Sequence, residues 1–193
     1  MRLKNHYFLL RHGENIYRIK KQGFAYPSKD NNSIKLTKGG RNQVIKNLKK
    51  IKKVKIDFIY SSNFYRTKET AKIAAKELSV KKINFDRRLR DINMGVFHGR
   101  KKEEFYKFVG YKKRKFSTKP PKGESWAELK KRMIIFFKNI DKKHKNKKIL
   151  IVSHGDPLWM LEGIIRGMTN RELLDEIFVN KNYIKVGELR KIN

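Results

Sequence analysis

The sequence predicts an α/β layer fold on a mostly parallel sheet, and two observations lead there. Three short runs, Tyr7-Phe8-Leu9-Leu10, Phe58-Ile59-Tyr60 and Ile149-Leu150-Ile151-Val152, are apolar at both odd and even positions. That is the pattern of a strand covered on both faces. Between them, apolar residues recur at helical spacing, and strands alternating with helices build α/β layers. The chain has 193 residues, of which 38% are hydrophobic. This is enough for one domain of ordinary size with a core of its own, and we expect a single domain over 1–193.

The elements follow in order. Tyr7–Leu10 is the first strand. Thr37 can cap a helix that buries Val44, Leu48 and Ile51. Phe58–Tyr60 is the second strand. Phe64–Leu78 carries small residues, Ala71, Ala74 and Ala75, suited to a helix lying close on a sheet. Ile83-Asn84-Phe85 is a weaker strand candidate. Gly110–Gly123, with Pro120-Pro121, is the most loop-like stretch, and a flap or subdomain is expected around 92–125. Trp126, Leu129, Met133, Phe136, Phe137 and Ile140 fall on one helical face. Ile149–Val152 is the next strand. Asp156-Pro157 reads as a helix start, with Asp at the cap and Pro at the first helical position. Leu158, Leu161, Ile164 and Ile165 follow it. Tyr183–Leu189 alternates as a further strand would. The lysine-rich breaks at Lys52–Lys55, Lys112–Lys115 and Lys142–Lys148 read as exposed turns.

Composition narrows the function. There is no cysteine, which excludes disulfides, thiolate metal sites and a cysteine nucleophile. Fifty Lys and Arg against 18 Asp and Glu give a formal charge of +32. Nucleic-acid binding, small anionic substrates and a lysine-rich composition all fit such a charge. The basic residues are scattered along the chain, which favours composition and leaves anionic substrates open. Nucleic acid is a possible partner but not the favoured one. The N-terminal apolar run is too short for a signal peptide, and no stretch reaches the ~18 apolar residues of a spanning helix. A cytoplasmic protein without a membrane partner is expected.

The chemistry lies where the strands end. Tyr7–Leu10 runs into Arg11-His12-Gly13-Glu14. Phe58–Tyr60 runs into Ser61-Ser62, with Arg66 one helical turn on. Ile149–Val152 runs into Ser153-His154-Gly155. Ligands of open α/β sheets bind outside the carboxyl ends of the strands. If these strands are neighbours, two Arg and two His converge with helix N-termini. Guanidinium forks suit a tetrahedral oxyanion. A neutral imidazole beside them can attack phosphorus, and the cations hold it unprotonated.

These blocks resemble the histidine phosphatase superfamily, the phosphoglycerate mutase-like family. Leu9-Leu10-Arg11-His12-Gly13-Glu14 matches its signature after the first strand. Gln22-Gly23 and Leu36-Thr37-Lys38-Gly39-Gly40-Arg41-Asn42-Gln43 match two further blocks. Ser61-Ser62-Asn63-Phe64-Tyr65-Arg66-Thr67-Lys68-Glu69-Thr70-Ala71, Gly123-Glu124-Ser125 and Val152-Ser153-His154-Gly155 match the rest, in order.

The resemblance implies a three-layer α/β/α sandwich. It implies His12 as the nucleophile, Arg11, Arg66 and His154 as the phosphate pocket, and no metal or organic cofactor. The family's acid, a Glu in Leu-x-Glu-x-x-x-Gly, falls on Asp91 in Leu89-Arg90-Asp91-Ile92-Asn93-Met94-Gly95, one methylene shorter. Asn15 stands where Ser or Thr is usual and Arg18 where Asn is frequent. Asn15, Arg18, Gln22 and Gly23 join the candidate substrate contacts.

Other residues have plainer readings. His98 belongs to a loop or rim, and His6 and His144 to solvated surface. Glu14 is a pocket neighbour or a salt-bridge partner. Asp156 is first a helix cap and second a candidate acid. Trp126, Phe136, Phe137 and Trp159 are core. A metal held by His12, His154 and Asp91 is opposed by the charges of Arg11 and Arg66. The expected function is a phosphomonoesterase for a small phosphorylated metabolite. The alternatives are a cofactor-dependent phosphoglycerate mutase and a non-catalytic polyanion- or RNA-binding relative.

Overall fold

The computed structural model describes residues 3–31, 34–110 and 116–192. Five strands form one sheet: β1 (His6–Arg11), β2 (Phe58–Ser61), β3 (Ile83–Phe85), β4 (Lys148–Ser153) and β5 (Leu189–Lys191). Their order is β3-β2-β4-β1-β5. All neighbours run parallel except β5, which is antiparallel to β1.

The double-sided apolar pattern has a direct cause. Phe8, Leu10, Ile59, Leu150 and Val152 face one core, with Val44 and Leu48 of α2 (Lys38–Leu48) and Ala71 and Ala74 of α3 (Tyr65–Glu77). Tyr7, Leu9, Tyr60, Ile149 and Ile151 face the other. There they meet Leu129, Met133, Phe136, Phe137 and Ile140 of α5 (Trp126–Lys143) and Leu158, Leu161 and Ile165 of α6 (Gly155–Arg166). Strands β1, β2 and β4 thus place alternate side chains into two helical layers, the expected sandwich. Trp126 and Trp159 are buried with the second core, as expected.

Thr37 caps α2 as its sequence predicts, its hydroxyl accepting from Gly40 N at 2.8 Å. Ile51 is buried in the 3₁₀ turn that follows. The short α1 (Ile16–Lys20), α4 (Lys102–Phe108) and α7 (Asn170–Phe178) complete the helices.

Two expected elements are corrected. Residues 183–188 make no strand; pairing begins only at Leu189, because Gly187 adopts a positive φ of 70° and turns the chain. Helix α6 starts with His154 at its cap, so Asp156 lies inside the first turn and does not cap it. His144 is also more than solvated surface. It stacks on Phe58 at 4.2 Å and bonds the Tyr60 hydroxyl at 2.8 Å. Lys112–Lys115, and the middle of the expected flap, lie outside the described residues.

Register brings the strand ends to one level. Arg11 pairs with Ser153, and Ser61 with Val152. His12 N then donates to Ser153 O, and Ser62 N to Val152 O, both at 3.0 Å. His12, Ser62 and His154 therefore sit side by side at the carboxyl edge.

Candidate active site

His12 is 1% exposed and His154 is fully buried, their ring centroids 5.3 Å apart. Gly13 lets the turn after His12 pack closely: a Cβ there would meet Gly40 O at 2.6 Å. His12 Nδ1 lies 2.9 Å from the Gly13 carbonyl. A carbonyl only accepts, so Nδ1 carries the proton and Nε2 keeps its lone pair. Burial, then the charges of Arg66 and Arg11, hold the pKa of His12 well below its usual value. His154 is held down by burial, Arg66, His12 and Arg11. Its Nε2 bonds the Ser62 hydroxyl at 2.9 Å.

Arg66 comes from the first turn of α3 and is 1% exposed. Its guanidinium lies 3.9 Å from the Tyr26 ring centroid, and Nη2 donates to Asp91 Oδ2 at 3.1 Å. Arg11 donates through Nη1 to Ile184 O at 2.7 Å and lies 5.3 Å from the Tyr183 ring centroid. Arg11 Nε, Arg66 Nε and His154 Nδ1 are all buried with no hydrogen-bond partner. Buried donors are rarely left so. The two guanidinium donors, with the open imidazole nitrogen of His154, mark a place for an anion's oxygens beside His12.

Asp91 faces this cluster from a loop. Its Oδ2 is 3.8 Å from His154 Nδ1, and its Oδ1 accepts from Ile92 N at 3.1 Å. Arg132 of α5 buckles that loop down, donating to Asp91 O at 3.2 Å and to Arg88 O. Glu124 pairs with Arg132 at 2.6 Å and accepts from Asn93 N at 2.9 Å. Ser125 caps α5. The Gly-Glu-Ser block is thus the fastening of the Asp91 loop.

A cleft of about 820 Å³ opens above the cluster. Arg11, Arg18, Tyr26, Asp91, Lys102 and Asp156 are among its lining. His98 lies on its wall, bonded to Tyr26 O and Asn93 Oδ1, in the rim position expected. Asp156 accepts from the Tyr183 hydroxyl at 2.6 Å. Burial, and then the charge of Asp91, push its pKa up to about 6. Lys102 is lowered by burial and by Arg18.

The remaining candidates are placed as follows. Arg18 is exposed and lines the cleft. Asn15 is fully buried and does not line it: Oδ1 accepts from Arg18 N at 3.0 Å to cap α1, and Nδ2 donates to the Tyr26 hydroxyl at 2.8 Å. Gln22 and Gly23 line a smaller cavity of about 310 Å³, which shares Arg18, Tyr26 and Lys102 with the cleft. Glu14 lines that cavity too and accepts from the Thr37 hydroxyl at 3.0 Å. Among the described residues, no group of three or more His, Asp or Glu is placed to hold a metal.

A family model, histidine phosphatase superfamily (branch 1), matches residues 7–186. The chain belongs to the histidine phosphatase superfamily. Its curated relatives include phosphoglycerate mutase-like protein 4 of Arabidopsis thaliana, 29% identical over 84% of this chain and 69% of that protein. Another is named "Probable phosphoglycerate mutase GpmB" from Yersinia enterocolitica, 31% identical over 83% of this chain and 74% of that one.

Solved structures share the fold. A mycobacterial glucosyl-3-phosphoglycerate phosphatase superposes with a TM-score of 0.76 at 17% identity, covering 96% of this chain and 88% of that one. A phosphoserine phosphatase of Entamoeba histolytica gives 0.75 at 24%, with the same coverages.

Tyr26, Lys102, Arg132 and Tyr183 are site residues that the sequence does not mark, and Ser62 enters there only as the end of the second strand. Ser62 lies inside a matched block and was within reach. Tyr26 and Tyr183 enter through loops, where no periodicity marks a residue.

Proposed function

We propose that this chain is a phosphomonoesterase that works through a phosphohistidine at His12 on a small phosphorylated metabolite. The observation that carries the reading is the gathering of two buried, unpartnered guanidinium donors and the open Nδ1 of His154 about the basic Nε2 of a neutral histidine. The incoming phosphoryl group takes Arg66 from Asp91, exchanging one anion for another. Asp91, released from Arg66, enters the reaction as the proton donor. His12 Nε2 forms the P–N bond as the bond to the leaving oxygen breaks, and Asp91 gives that oxygen its proton. Arg11, Arg66 and His154 hold the equatorial oxygens. Asp91 then removes a proton from water, the water oxygen attacks phosphorus, and His12 leaves neutral.

A second reading, phosphoglycerate mutase, is favoured by the names of the curated relatives. It needs a phosphoryl group returned to substrate before water enters. The interval from Gly99 to Gly123 is short for a segment that would close over the cleft, so hydrolysis is preferred. RNA binding has less support, since the lysines are scattered along the sequence rather than gathered in one basic segment. The test is phosphate release from a panel of phosphomonoesters without added metal, run beside isomerisation of 3-phosphoglycerate. Hydrolysis without isomerisation supports the proposal; isomerisation faster than release overturns it.

A further inference from the structure

A second gathering of positive charge lies on the cleft wall. Arg87 opens the 3₁₀ turn Arg87–Leu89 and Arg90 follows it, three positions on, and both line the cleft. Arg90 is half-buried. Its Nε donates to the neutral Asn63 Oδ1 at 2.7 Å, and its guanidinium carbon lies 5.0 Å from the Phe64 ring centroid. Neither residue has a carboxylate within ion-pair distance among the described residues.

That sets Arg90 apart from the other partly buried arginines outside the phosphoryl pocket. Arg88 pairs with Asp86 at 2.6 Å, Arg132 with Glu124 at 2.6 Å and Arg190 with Glu162 at 2.8 Å. Burial and the neighbouring charge of Arg87 lower the pKa of Arg90, and Asp30 only opposes this. Two cations at a cleft wall, one of them partly buried, lack the carboxylate that Arg88, Arg132 and Arg190 have; Arg11, which also lacks one, belongs to the phosphoryl pocket.

Phe64 also sets the distance to the phosphoryl pocket. Arg66 lies 5.3 Å from the centroid of that ring and Arg90 5.0 Å. The two guanidinium carbons are therefore no more than about 10 Å apart, each in range of the same aromatic face or edge.

We infer that Arg87 and Arg90 form a second anion subsite, which takes a phosphate on the leaving-group side of a bisphosphorylated substrate. Two forks three positions apart suit a tetrahedral dianion better than a lone carboxylate, because each can donate to a different oxygen. The spacing selects a short, flexible linker between the two phosphates. The inference rests on the phosphomonoesterase reading above.

The experiment compares butane-1,4-diol monophosphate with its bisphosphate in wild type, Arg87→Gln, Arg90→Gln and the double variant. It reads the ratio of kcat/KM for the two esters. Wild type is expected to favour the bisphosphate by about tenfold or more, carried mostly by KM, and the double variant to bring the ratio close to one. An absent preference in wild type, or one that survives in the double variant, overturns the subsite. A binding arm separates this from failure of the enzymatic reading: calorimetry with the non-hydrolysable bisphosphonate analogue. Affinity lost in the double variant supports the subsite even if neither ester is turned over. Equal affinity in both proteins overturns it.

Discussion

Removing Arg66 should cost this enzyme most of its hold on a phosphoryl group while leaving the nucleophile in place. Its guanidinium is 1% exposed, with Nη2 spent on Asp91 and Nε unpartnered. In the Arg66→Ala protein a dianionic phosphoryl group loses a two-pronged donor. Each charged hydrogen bond is worth ~1.5–3 kcal/mol, so two amount to about 3–6 kcal/mol. That is about two to four decades in kcat/KM. Arg66 is also the leading charge holding His12 and His154 down. Its loss should move the acid limb of the pH–rate profile upward. Arg66→Lys keeps a charge but not the fork, and should fall between. The assay is kcat/KM with a nitrophenyl phosphate together with the Kd of vanadate, a five-coordinate mimic. A thermal melt establishes that the variant is folded. A folded Arg66→Ala protein whose vanadate Kd stays within about twofold of wild type would refute the placement of the pocket.

Asp91→Asn should slow alkyl phosphates far more than a nitrophenyl ester, because a good leaving group needs little protonation. Equal slowing of both would pass the role of acid to Asp156. Asp156→Asn should change the pH dependence of stability. The pKa of Asp156 is raised in the folded state from 3.8 to about 6, so the folded protein holds the proton more tightly and loses stability as pH rises through that window. The two buried histidines act oppositely, costing stability as pH falls below about 6.5, so only the difference between variant and wild type isolates the carboxyl. In urea titrations the variant should gain on wild type between pH 4 and pH 7 by at most on the order of 3 kcal/mol, since Asp156 still faces the cleft; no change would place its carboxyl in water. Gly155→Ala should lower both Tm and kcat/KM. A Cβ there meets the Tyr183 hydroxyl at 2.1 Å, and overpacking costs about 1–3 kcal/mol. Wild-type kcat/KM in that variant would free Arg11 from any dependence on Tyr183.

Much of the fold was legible because both sheet faces are covered. The strands β1, β2 and β4 read as unbroken apolar runs for that reason, and α5 as a single apolar face. Residues 183–188 were misread because alternation alone does not report pairing; a turn at Gly187 decided it. Asp156-Pro157 misled because cap and first-turn positions accept the same residues, and the buried His154 already occupied the cap. At the site, the strand-end residues could be found because register brings them together. Asn15 was harder. Its type signals a polar contact, yet only the structure shows that contact spent on capping α1 and holding Tyr26. The thiol-free composition excluded cysteine chemistry, but net charge alone did not distinguish scattered lysines from the paired arginines of the cleft.

The most direct measurement is to catch the phosphate on its histidine. Wild-type enzyme turning over a radiolabelled phosphomonoester is quenched in alkali, in which phosphohistidine survives, and its peptides are mapped. The account predicts acid-labile label on the peptide containing His12. In His12→Ala the label and nearly all turnover should be gone while the thermal unfolding transition remains. Label on another residue, or wild-type turnover in His12→Ala, would contradict it.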